Sequence, residues 1–203
     1  MSIAAAPAAA PAAALLSRWW SRPLEPELAA WAASWPTGAE AAEALGLDAE
    51  PVAELADRSA GAAAEDLLDE YERLFVGPGR TPCPPYESLW LDGQARLEQG
   101  RLMGAASAVV ADLYRTLGLD VAAAAHELPD HVAIELEALA VALRSEGAAA
   151  EAAGRSLLHE HLLGWLPEFC AAVEREARQP FYALLARVTT GWVERLARDV
   201  PVP

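Results

Sequence analysis

PFYALLARVTTGWVERL, residues 180–196, sets its large apolar side chains at Phe181, Leu185, Val188, Trp192 and Leu196. Steps of three and four residues put all five on one side of an α-helix, and Pro180 suits a first turn, where its missing N–H costs no intrahelical bond. The same period recurs upstream. Leu67, Tyr71 and Leu74 follow it within 62–75, widened by Leu68 and Phe75. Ala106, Val110, Leu113 and Leu117 follow it within 104–117, with Gly118 as the stop. Val132, Leu136, Leu139 and Leu143 follow it in a helix that leaves the turn at Glu127–Leu128–Pro129–Asp130 and runs to about residue 146. Further helices are predicted over 15–21 and 25–34, on either side of Pro23, and over 37–46, opening on the capping-box spacing of Thr37 and Glu40. Others are predicted from Pro51, weakening near Gly61, over 148–161, and from Pro167. Strand-like alternation is nearly absent, so the expected fold is all-α: a single-domain bundle of about seven to nine helices over 15–203.

Residues 1–14 are rich in Ala and Pro and resemble a secretory signal at first sight. No Arg or Lys precedes the apolar run, and Pro7 and Pro11 interrupt it, so the expectation is a disordered tail. Among the 203 residues, 30 are acidic and 15 basic, every basic one being Arg, for a net charge of −15. Such a chain repels nucleic acid and anionic lipid and attracts cationic partners. No segment reaches the roughly 18 uninterrupted apolar residues of a membrane span, which predicts a cytoplasmic protein without stable membrane insertion. Seven Trp exceed what a core of this size needs and are of the kind that line binding surfaces.

The candidate chemistries are few. Cys83 and Cys170 are too few for a disulfide scaffold, and there is no C-x-x-C. Cys83 reads as an ordinary thiol in the Pro-rich loop and Cys170 as a core residue. His159 and His161 stand two residues apart and face different ways on a helix, and none of the four His has a Glu three residues before it, so no metal and no cofactor is expected. G-x-S-x-G and P-loop motifs are absent. Asp130, His131 and Glu135, with Glu127 just before them, leave two readings. One is functional, a metal or acid/base cluster or a polar binding site. The other is a capped helix start with a surface His131–Glu135 pair. The segment VGPGRTPCPPYES, residues 76–88, holds four Pro and two Gly and cannot be a long helix, so a structured loop is expected at 76–85. Prolines fix such a loop in advance and lower the cost of binding a flexible partner. Tyr86 and Trp90 then serve either as a binding surface or as core filling for a rigid connector.

A resemblance weighs on that choice. Glu70-Tyr71-x-x-Leu74-Phe75-x-Gly77-Pro78 is followed by Pro84-Pro85-Tyr86-Glu87-Ser88, and then by Leu128-Pro129-Asp130-His131 with Glu135-Leu136-Glu137. His161-Leu162-x-x-Trp165-x-Pro167-x-Phe169 and Phe181-Tyr182-x-x-Leu185-Ala186-x-x-Thr189 complete the series. In this order the pieces resemble the TorD/DmsD chaperones of molybdoenzyme maturation, which are related to NarJ; the likeness covers roughly residues 62–196. The resemblance implies an all-helical chaperone, not an enzyme. Its partners would be the twin-arginine leader and the apo form of a molybdopterin oxidoreductase, held for cofactor insertion before export. Carried over residue by residue, it nominates Leu74, Phe75, Pro84, Pro85, Tyr86, Glu87, Ser88, Trp90, Asp130 and His131 as the peptide site. Some relatives have Trp where Tyr86 stands. Monomer and homodimer are both compatible with it, and a small metal-dependent enzyme or a structural adaptor subunit are the alternatives.

The physical chemistry suits that role. A twin-arginine leader begins cationic and continues as a moderately apolar, helix-prone segment. An acidic protein speeds the encounter, and an aromatic-lined groove takes the apolar part. Asp130 and Glu87 are the carboxylates expected to meet the arginines, and His131 is expected to add pH sensitivity.

Overall fold

The computed structural model describes residues 9–22, 50, 52–55, 64–78, 81–91, 105–119 and 127–200. Seven α-helices are set out among them: α1 (Ala9–Trp20), α2 (Ala64–Tyr71), α3 (Ala105–Thr116), α4 (Val132–Arg144), α5 (Ala148–Ser156), α6 (Leu163–Glu176) and α7 (Pro180–Asp199). A π-helical turn, Glu72–Val76, extends α2, and a second, Leu157–Leu162, joins α5 to α6. A 3₁₀ turn spans Glu87–Leu89, and no strand occurs among the described residues beyond a single antiparallel bridge between Tyr86 and His131. The all-α expectation holds, and no described helix is long and apolar enough to cross a membrane. The helices expected over 25–34 and 37–46 lie outside the described residues; Val52 and Leu55, after Pro51, are helical and buried.

The chain divides into two compact units within the span expected to form one domain. The first gathers Met1–Trp20, Pro85–Glu168 and Val193–Pro203; the second gathers Ser21–Pro84 and Phe169–Trp192. The chain passes between the units after Trp20, between Pro84 and Pro85, and inside α6 and α7, where no linker composition marks the crossing.

In the first unit α1 packs along α4. Ala10, Ala12, Ala13 and Leu16 are wholly buried. This corrects the expected tail over residues 9–14. Ala-rich sequence has high helix propensity, and the apolar surface of α4 supplies the tertiary contact that a short helix needs. Pro11 is the third residue of α1, where its missing N–H has no intrahelical acceptor to lose. A further apolar cluster joins Val110 and Tyr114 of α3 to Ala138 of α4 and Leu157, with Leu113, Leu117 and Ile134 packed against it. Gly118 ends α3 as expected, at φ +73°, a left-handed conformation that costs glycine nothing.

In the second unit the π turn after α2 carries Leu74 and Phe75 inward. The Phe75 ring meets Tyr71 at 5.0 Å, Tyr182 at 5.4 Å and Phe169 at 6.1 Å between centroids. The Tyr182 hydroxyl donates to the Leu67 carbonyl at 2.9 Å. Glu70 organises the polar side of this unit. It accepts from Arg73 Nε at 2.8 Å and from the backbone N–H groups of Arg178 and Gln179, which lead into α7. All five residues of the α7 stripe are buried, as the period predicts.

Pro167 does not begin a helix as expected but sits fifth in α6. Its ring removes one bond, to the Leu163 carbonyl; Trp165 and Leu166 on the same turn are wholly buried, and their burial outweighs that loss.

Candidate functional site: an enclosed polar cluster beneath the proline-rich segment

The segment that follows Pro84 is tied to the start of α4 by backbone bonds. Glu87 N–H donates to the Asp130 carbonyl at 2.9 Å and Val132 N–H to the Pro85 carbonyl at 3.0 Å. The turn before α4 is steadied by the Tyr114 hydroxyl, which donates to the Pro129 carbonyl at 2.7 Å. α4 then begins at Val132. Its N-cap is His131, whose Nδ1 accepts from Ala133 N–H at 3.1 Å. Asp130 stands one residue earlier, and its Oδ2 accepts from Ser88 N–H at 3.1 Å. An imidazole in the capping role leaves the aspartate free to clamp the neighbouring segment, which is why the helix starts later than the position of Asp130 suggests.

Side chains reinforce the joint. The Tyr86 ring stands edge-on to the His131 imidazole, 5.3 Å between centroids, and its hydroxyl donates to Glu127 Oε2 at 2.9 Å. Glu87 turns inward onto the π turn before α6, where His161 Nδ1 lies 2.8 Å from Oε1 and 3.0 Å from Oε2. Glu135, one turn into α4, accepts from the Trp165 indole N–H at 3.2 Å. Asp130 Oδ1, His131 Nε2 and Glu135 Oε1 are buried without a hydrogen-bond partner among the described residues.

Tyr86, Trp90, Asp130 and His131 thus come together, with Pro85, Glu87 and Ser88, in the first unit. Leu74, Phe75 and Pro84 belong to the second, where all three are buried and the Leu74 carbonyl accepts from Cys83 N–H at 3.0 Å. Glu87 and Asp130, the carboxylates expected to meet arginines, are 0% exposed. Trp90 is 5% exposed, which favours core filling for that ring, whereas Tyr86, Glu127, Leu128 and Pro129 keep part of their surface in solvent. The expected His131–Glu135 surface pair is corrected, since both side chains are buried and Glu135 pairs with Trp165 instead.

Burial sets the electrostatics. It pushes His131 down to about 3, so this imidazole stays neutral near neutral pH and is not the expected pH sensor. Glu135 moves the other way, well above the ordinary carboxylate range, through burial first and the nearby Glu87 and Asp130 charges second. Burial also raises Cys83 and Cys170 to about 12, which leaves both as inert thiols. Among the described residues no three His, Cys, Asp or Glu side chains are grouped to hold a metal ion.

Sequence reasoning missed three partners. His161 stands in the sequence beside His159 and in one piece of the resemblance, and nothing local ties it to Glu87, 74 residues away. The Trp165–Glu135 bond is equally non-local. Glu127 was visible before the turn, but its Tyr86 partner was not.

Comparisons with known proteins identify the family. A family model described as "Nitrate reductase delta subunit" matches residues 39–171. The chain is 32% identical over 176 residues to the Tat proofreading chaperone DmsD of Salmonella typhi, covering 85% of this chain and 78% of that one. It is 30% identical over 146 residues to the chaperone protein TorD of Shewanella pealeana, covering 70% and 64%. A crystal structure described as a redox enzyme maturation protein of Archaeoglobus fulgidus superposes with a TM-score of 0.61 at 29% identity, over 90% of this chain and 91% of that one. The relatives are chaperones by name and not catalysts, so the enzyme and adaptor alternatives are not favoured. From the matched model and the matched relatives together, the chain belongs to the nitrate reductase delta subunit family, the family of the DmsD and TorD chaperones of redox-enzyme maturation.

Proposed function

We propose that this chaperone binds the twin-arginine leader and the apo form of a molybdopterin-containing oxidoreductase in the cytoplasm, and holds the client for cofactor insertion before export. The observation that carries the proposal is the match to the Tat proofreading chaperone DmsD over 85% of the chain. The net charge of −15 supports it, because an acidic protein draws in a cationic leader.

Seven of the ten nominated residues take two roles in this reading. Tyr86 is half-exposed and, with Glu127, forms the accessible rim: an aromatic face for apolar leader residues and a carboxylate for an arginine. Pro85, Glu87, Ser88, Trp90, Asp130 and His131 are enclosed and hold that rim in place. Leu74, Phe75 and Pro84 lie in the second unit and are nominated on the family resemblance alone. No bond is made or broken. A bound leader is withheld from the export machinery, and at a hundredfold excess over Kd it stabilises the chaperone by about 2.7 kcal/mol.

The test is titration of the purified protein, monomer or homodimer, against labelled twin-arginine leaders from its own host, with an Arg-Arg to Gln-Gln leader as control. Saturable binding that weakens with salt and with loss of the arginine pair supports the reading. Equal affinity for both leaders, or none for any, overturns it.

A further inference from the structure

Enclosing the carboxyl groups of Glu87, Asp130 and Glu135 in one unit is costly, and residues 85–91 hang on two of them, Glu87 and Asp130. Residues 85–91 are held to α4 and to the π turn before α6 through Glu87 and His161, through Ser88 N–H and Asp130, and through the two backbone bonds at Pro85 and Glu87. All three carboxyl groups are 0% exposed, and His161 is 6% exposed. Among the described residues, the other groups facing the cluster bring no cation to offset these carboxyl groups. His131 is neutral, the Tyr114 and Tyr86 phenols are raised by burial and by these same carboxylates, and Glu127 is itself acidic. α1, packed on α4, carries one charged side chain, Arg18, and it is exposed; α5 carries Glu151 and Arg155, which pair with each other at 3.1 Å.

We propose that residues 85–91 form a proton-controlled latch, closed while Glu135 holds a proton over the enclosed Glu87–His161 pair and freed as rising pH removes it. With Glu135 neutral, Glu87 keeps its 2.8 Å contact with His161 and Asp130 keeps the Ser88 N–H. With Glu135 ionised, a further negative charge without a donor on Oε1 sits among like charges, and the unit relieves it by letting solvent in beneath the segment. The raised proton affinity of Glu135 fixes the sign. The closed form holds the proton more tightly than the open form, so closure is complete at low pH and lost as pH rises toward the value of the closed form. Each pH unit in that window favours opening about tenfold per proton released. The latch rests on the packing of the first unit and not on the leader proposal, and its test uses no leader.

Hydrogen exchange of the full chain from pH 6 to pH 9, corrected for the intrinsic pH dependence of exchange, reads the opening directly. The amides of Ser88 and Trp90 are compared with those of Leu185 and Val188 in the second unit. The expected result is an opening constant for Ser88 and Trp90 that climbs about tenfold or more per pH unit while Leu185 and Val188 stay level. In Glu135→Gln, which keeps an acceptor for Trp165 and cannot ionise, the climb should fall by one power of ten per unit. A level profile in the wild type overturns the latch, and so does an undiminished climb in Glu135→Gln. Should that variant not fold, the wild-type comparison of the two sets of amides decides alone.

Discussion

His161 Nδ1 and Glu87 Oε1 stand 2.8 Å apart with both side chains enclosed, so the proline-rich segment is fastened to the π turn before α6 by a buried pair. Removing one member strands the other. His161→Leu should lower unfolding free energy by about 3–5 kcal/mol, as for other severed buried pairs, whereas Glu87→Leu with His161→Leu should recover a large part of that loss. Urea denaturation of the two single variants and the double variant checks this; equal losses in the single and double variants would contradict it.

Glu70 makes a second acid-dependent joint. Burial alone would raise its carboxyl, but hydrogen bonds from Arg73 and from the Arg178 and Gln179 amides outweigh burial and hold it below the ordinary value. A depressed carboxyl stabilises the fold above its unfolded value of about 4.3 and loses that contribution as pH falls through the folded value. Glu70→Gln should therefore cost stability at pH 7, on the order of 1–3 kcal/mol, and less at pH 3 than at pH 7. Thermal melting of both proteins at the two pH values measures the difference.

His131 predicts a pH response of its own. Its folded value of about 3 lies below the unfolded value of about 6.5, so the unfolded state binds the extra proton between those limits. Stability should fall as pH drops from 6.5 toward 3, by at most about 1.4 kcal/mol per unit from this residue. His131→Asn keeps a capping side chain that does not titrate. Its stability profile should be shallower by up to one proton over that range, as read by chemical denaturation at successive pH values.

At the rim, Tyr86→Ala should weaken leader binding by about 1–3 kcal/mol, roughly fivefold to a hundredfold, by removing an aromatic contact. Tyr86→Phe keeps the ring and loses only the bond to Glu127. It should cost less, and Glu127→Gln should reduce the salt dependence of binding. Fluorescence titration with a labelled leader separates the three. Wild-type affinity in Tyr86→Ala would remove this ring from the binding surface.

The helices were legible because apolar period and proline position are local signals: α3, α4 and α7 fall where Gly118, the Asp130 turn and Pro180 put them. Residues 9–14 misled because alanine carries no side-chain pattern. Whether such a run is helix or tail depends on the surface of α4, which lies far along the chain. Pro167 misled for a related reason, since the burial of Trp165 and Leu166 overrides a local breaker. The resemblance brought Tyr86 and His131 to one site, but no rule of spacing reveals which of the nominated residues face inward. The enclosed Glu87, Asp130 and Glu135 meet His161, Ser88 N–H and Trp165 respectively, partners that only the folded chain supplies.

The first unit draws on Ala9–Trp20 at one extreme and on Val193 to Val200 at the other. A ribosome must therefore have passed Val200 before that unit can be completed, however early its first helix emerges. Until then the apolar Leu16, Trp19 and Trp20 of a nascent α1 wait for α4, more than a hundred residues behind in synthesis. A chaperone of this build has no finished first unit to offer a client until Val200 has been made, and is itself exposed to misfolding in that interval.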